Sequence, residues 1–104
     1  MPSATYDIFR KAILNEKQVV FTYKNERRGA CPIIIGHTDG EEKALTFQFE
    51  GASGRGWRCL HLAGVRDARL REGPWHEGSA RHAKEQTCVA DVDLDINIHV
   101  RKLR

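Results

Sequence analysis

Five arginines, Arg55, Arg58, Arg66, Arg69 and Arg71, fall within residues 55–71, and Asp67 is the only acid among them. A guanidinium is a planar fork that pairs with phosphate or carboxylate. The stretch therefore reads either as an anion-binding surface or as a solvated strand face. Trp57 and Trp75 are both flanked by charge, and each suits a core position or a stacking platform for a base. Trp57 falls in a strand-like run and is expected in the core. Trp75, after Gly73-Pro74, is expected to plug one end of the fold. Cys59 and His61, two apart, share one face of a strand, and with His76, His82 and His99 they offer zinc-type donors. The tight paired spacing of zinc sites is missing, so no metal is expected. Cys59 with a histidine base would make a nucleophile, but no spacing supplies the partner.

Other motifs fail on a single residue. Gly51-Ala-Ser-Gly-Arg55 carries Arg where a nucleophile elbow needs its last Gly, and no helix follows. Gly54-Arg-Gly56 places Cys59 at the third glycine of a dinucleotide fingerprint. A plain hairpin loop is the expectation for residues 51–56. Asp91-Val-Asp-Leu-Asp95 resembles the opening of a calcium loop, but Ile96 stands where the sharp turn requires Gly. With no nucleophile, base and oxyanion site at recognisable spacing, the chain is expected to be non-catalytic and to hold no cofactor.

The elements that would position these residues can be read from periodicity. Residues 4–17 carry an apolar stripe through Ile8 and Ala12, with Phe9 and Ile13, capped by Ser3 or Thr5 and with Asp7 in the first turn. Residues 19–23 are β-branched and aromatic, a strand, and 24–29 a charged turn. Residues 31–36 form a second strand with Pro32 at its start or on an edge, since proline donates nothing to a ladder. Asp39-Gly40 marks a hairpin turn. A third strand over 44–50 puts Leu45, Phe47 and Phe49 on one face. Strands at 57–62 and 65–70 follow, then a long irregular segment over 71–87. Residues 91–100 alternate Asp91, Asp93, Asp95, Asn97, His99 with Val92, Leu94, Ile96, Ile98, Val100, the pattern of a half-buried strand. Such a strand can close a barrel or pair with a second chain.

The 104 residues suit one domain, divided here into helix and sheet over 1–71, an irregular loop over 72–88 and a final strand over 89–101. The net charge of +3 and pI of about 8.9 fall short of a dedicated nucleic-acid binder. Three widely spaced cysteines without C-x-x-C predict a reduced cytoplasmic protein with free thiols. No leader pattern and no run of eighteen apolar residues occurs, so no membrane association is expected.

Taken in order, Ala12-Ile13, Val19 to Tyr23, Arg27-Arg28 before Pro32, Gly36 with Asp39-Gly40, Ala44 to Phe49, and Trp57 to Leu62 ending at Val65 resemble a WYL domain. The likeness covers about residues 6–71. It implies a mainly β (α+β) fold, a leading helix followed by a small Sm-like antiparallel barrel or strongly bent sheet. It also implies a regulatory module of the kind found in bacterial transcription regulators, binding nucleic acid or nucleotide-like ligands through Arg, Tyr and His. Carried over by position, the ligand-binding residues are Tyr23, Arg28, Arg58 and His61. The chain departs from the family in lacking the Trp-Tyr-Leu tripeptide, in having no helix-turn-helix upstream, and in placing His61 and Gly64 where the family has a pair of arginines.

Two functions are therefore expected in turn. One is a non-catalytic module whose Arg and Tyr side chains hold a nucleotide or single-stranded nucleic acid. The other is an interaction module whose 91–100 strand pairs with a second copy.

Overall fold

The computed structural model describes residues 2–76 and 86–97. A helix, α1 (Ala4–Asn15), leads into β1 (Gln18–Tyr23), β2 (Glu26–Thr38), β3 (Glu41–Glu50) and β4 (Gly56–His61). A single 3-10 turn (Leu62–Gly64) joins β4 to β5 (Arg66–Arg71), and β6 (Asp91–Asp95) comes last. The strands form one antiparallel sheet in the order β4-β3-β2-β1-β5, with β6 added to β2. This is the expected mainly β fold in its bent-sheet form. β4 and β5 stand at opposite ends of the order, so the sheet is not a closed barrel.

Ser3 caps α1, its hydroxyl accepting from the Tyr6 N–H, and Glu16 ends it in a left-handed conformation. The buried stripe is Tyr6, Phe9, Ala12 and Ile13. Ile8 lies on its flank, partly buried, because the stripe that meets the sheet is centred on Phe9, Ala12 and Ile13. Phe9 reaches Phe21 of β1 at 5.8 Å between ring centroids. Val19, Ala30, Ala44, Leu60 and Leu62 complete this inner core.

Two tight turns fix the hairpins. Lys24 and Asn25 have φ of 51° and 60°, and Asp39 and Gly40 have 53° and 81°. Positive φ at both central residues is the two-residue turn that matches strand twist. The charged segment expected as a turn over 24–29 therefore shrinks to two residues, and β2 begins at Glu26. The 13-residue β2 is the spine of the sheet. β3 pairs along one edge, while β1 takes residues 26–30 and β6 residues 34–37 of the other. Pro32 thus sits in mid-strand, not at a start or edge. Its missing donor falls between β1 and β6, beside a bulge in the β3 register.

The sheet is covered on both faces, which explains the continuous burial of β2 from Arg28 to Gly36. Leu45, Phe47 and Phe49 share a face as expected, but it is the outer one, away from α1. There Phe49 stacks on His76 at 4.3 Å, Phe47 meets Trp57 edge-on at 5.5 Å, and the His76 N–H points at the Cys31 sulfur. Trp57 and Trp75 are partly buried against the core, so Trp75 covers a sheet face rather than a barrel end.

Two further expectations are overturned. The chain is not a protein of free thiols: Cys59 and Cys88 form a disulfide, with Cα atoms 5.6 Å apart across 29 residues of sequence, and Cys31 alone is free. The pairing depends on β6 folding back beside β2, which spacing cannot reveal. The final strand also fails to alternate as written. A bulge at Asp93 shifts the register between Gly36↔Val92 and Ile35↔Leu94, so Val92 is exposed while Leu94 and Ile96 are buried. Residues 98–100 of the expected strand lie outside the described residues, as does His82. β6 pairs with β2 of its own chain. Gly36 makes this possible, since a Cβ there would lie 1.9 Å from the Asp91 carbonyl oxygen.

Candidate functional site

Tyr23 ends β1 with its ring buried and packed against Gly64, whose added Cβ would meet the ring at 3.2 Å. That closeness favours glycine at position 64. The Arg28 guanidinium lies 5.2 Å from the Tyr23 ring centroid and Lys24 Nζ 5.8 Å from it. The Tyr23 hydroxyl accepts from the backbone N–H of His61 at 3.3 Å. The His61 imidazole points elsewhere, with Nδ1 3.4 Å from Glu41, and is half exposed.

Arg28 is buried, and its Nε lies 2.7 Å from a Glu26 carboxylate oxygen. Its Nη1 donates to Gln48 Oε1 at 3.2 Å. Gln48 in turn donates to Ser53 Oγ and the Gly54 carbonyl, both at 2.8 Å, and Ser53 Oγ donates to Glu26. The result is a closed polar ring through Glu26, Arg28, Gln48 and Ser53. Arg58 joins it from outside, donating to the carbonyls of Trp57, Ser53 and Gly54 at 2.9–3.0 Å. The 51–56 loop is thus held by donors from Arg58 and Gln48 rather than standing free. Tyr23, Arg28 and Arg58 are brought into one network, but their polar groups are largely spent on the protein itself. Gln48 was missed by sequence reasoning. Its signal was that Thr46 and Gln48 continue the period of Ala44 onto a face that must be buried.

An open cleft lies directly beside this network. Its volume is about 350 Å³ and it is lined by Thr22, Lys24, Asn25, Gly64 and Arg66. The β1–β2 turn supplies Lys24 and Asn25, and register pairs Thr22 with both Arg27 and Arg66. Arg27 Nη1 donates to Thr22 Oγ1 at 3.3 Å and the Asp67 carbonyl at 3.2 Å. Neither Lys24, Arg27 nor Arg66 forms an ion pair among the described residues, although Asp67 is adjacent in sequence. By contrast, Arg71 grips Glu50 with two hydrogen bonds, which hold the Glu50 carboxyl below its usual range. Two cations, Lys24 and Arg66, line the cleft with no carboxylate among its lining residues, and Arg27 is hydrogen-bonded to its Thr22 wall, which makes an anion-attracting concavity.

No group of three metal-ligating side chains occurs among the described residues, and Cys59 is committed to its disulfide. Burial raises the Cys31 thiol to about 11, so it is a poor thiolate. No described helix is long and apolar enough to cross a membrane. Compared with protein-family models, curated proteins and solved structures, the chain finds no match.

Proposed function

We propose that the chain is a non-catalytic, WYL-like regulatory module that binds a phosphate-bearing ligand, a nucleotide or a single-stranded nucleic acid. The observation that carries this reading is the cleft where Lys24 and Arg66 meet without a carboxylate partner, with Arg27 beside them. Guanidinium and ammonium groups together suit a phosphate, one as a fork and one as a point charge. Behind the cleft, its lining residue Gly64 packs on the Tyr23 ring, which the Arg28 guanidinium and the His61 backbone N–H hold in place. The site is thus shifted outward from Tyr23, Arg28, Arg58 and His61 to the cationic residues that their network supports. A cytoplasmic setting fits a nucleotide ligand. The Cys59–Cys88 pair would there meet a reducing pool.

The alternative, association through the C-terminal strand, has less to draw on, because β6 already pairs with β2 within the chain. Titration calorimetry with ATP and with a short oligonucleotide tests the proposal. Wild type is expected to bind, and Lys24→Ala/Arg66→Ala to lose most of that affinity with its thermal midpoint unchanged. Equal binding by the double variant would refute the assignment of the cleft.

A further inference from the structure

The Cys59–Cys88 disulfide lines a second cavity, of about 300 Å³, together with Leu45, Trp57, Arg58, Gln86 and Thr87, and ties its two walls together. One wall is β3 and β4, and the other is the 86–88 segment. Cys59 is exposed on the edge strand β4, whereas Cys88 is buried with its sulfur 3.5 Å from the Ala44 carbonyl. Beyond the cavity, the segment is held by the Thr38 hydroxyl. It donates to the Cys88 carbonyl at 2.8 Å and accepts from the Ala90 N–H at 3.1 Å. The β2–β6 ladder then anchors residues 91–95. Cutting the disulfide would free one wall locally while leaving β6 attached.

We infer that Cys59–Cys88 is a thiol–disulfide exchange site that latches this cavity shut, with a dithiol reductant as co-substrate. One thiolate of the reductant attacks the accessible Cys59 sulfur. The S–S bond breaks, and Cys88 departs as a thiolate and takes up a proton. The Cys88 S–H then has the Ala44 carbonyl within donating distance. The reductant's second thiolate attacks its own sulfur in the mixed disulfide, releasing Cys59 as a thiol and leaving the reductant as a cyclic disulfide. Two electrons and two protons pass to the pair. Cys31, fully buried on β2, takes no part. The released 86–88 wall then parts from β4 and exposes Trp57 and Leu45. This inference is independent of the phosphate cleft, which lies on other residues.

The test uses the whole wild-type protein under native conditions, titrated with dithiothreitol and pulsed with iodoacetamide, alongside amide hydrogen exchange. The expected result is two alkyl groups, on Cys59 and Cys88, with Cys31 spared. Exchange across 86–90 should quicken by about tenfold or more while β1 and β2 keep their protection, and reoxidation should restore the slow rates. The inference is overturned if the pair resists reduction until Cys31 also alkylates, because opening would then require global unfolding. It is equally overturned if both cysteines alkylate with exchange at 86–90 unchanged.

Discussion

Arg28 and Arg66 carry the same charge and have opposite jobs. Arg28 is enclosed with Glu26, Gln48 and the Tyr23 ring. Removing one partner of a nearly buried ion pair leaves the other uncompensated, so Arg28→Ala is expected to cost about 3 kcal/mol of stability in denaturant unfolding. Arg66 is exposed and forms no ion pair among the described residues, so Arg66→Ala should leave stability within about 0.5 kcal/mol of wild type while weakening ligand binding. Cys31 supplies a pH signature. Its thiol titrates near 9.0 when unfolded and near 11 in the folded chain, where burial disfavours the thiolate. A raised folded-state value contributes stability that is whole below pH 9 and is lost as pH rises towards 11. Urea midpoints should therefore fall across that range, and Cys31→Ala should flatten the decline.

At the scale of elements, the docking of β6 on β2 decides how the outer face is covered. Gly36 has no room for a side chain, with the Asp91 carbonyl and Val89 against it. Gly36→Ala is expected to cost about 3 kcal/mol and to raise hydrogen exchange over 91–95 first. The disulfide adds to the same attachment. Closing its loop of about 30 residues constrains the unfolded chain by about 3.5 kcal/mol, so reduced protein should unfold at correspondingly lower denaturant. Local patterns made much of this scaffold legible. The stripe of α1, the Asp39-Gly40 turn and the alternation of β3 each reflect neighbours close in sequence. Facts set by distant contacts escaped. The length of β2, the place of Pro32 and the face chosen by Leu45, Phe47 and Phe49 all depend on which segments cover the sheet. The bulge at Asp93 and the Cys59–Cys88 bond depend on β6 returning beside β2. At the candidate site, residue type singled out Tyr23 and Arg28, which the fold brings into contact. It could not tell an arginine sealed in a polar ring from one left open to solvent.

Over the whole molecule, charge is divided along β2. The start of β2 has Lys24 in its turn and Arg27 on the strand, with Arg66 of β5 alongside, while Glu26 there is paired with Arg28. The turn at its end carries Asp39, Glu41 and Glu42, with Asp91, Asp93 and Asp95 of β6 nearby. A net charge of only +3 thus conceals a basic end and an acidic one. Such a field steers an anionic ligand to the basic end and makes binding sensitive to salt. The most direct measurement is fluorescence anisotropy of a labelled single-stranded oligonucleotide, titrated with wild type and with Lys24→Ala/Arg66→Ala at several salt concentrations. Three phosphate contacts through Lys24, Arg27 and Arg66 predict a log–log salt slope of about −2, falling to about −0.7 in the double variant. A titration that stays flat at low salt, or a slope that the double variant leaves unchanged, would contradict the cleft as the phosphate-binding site.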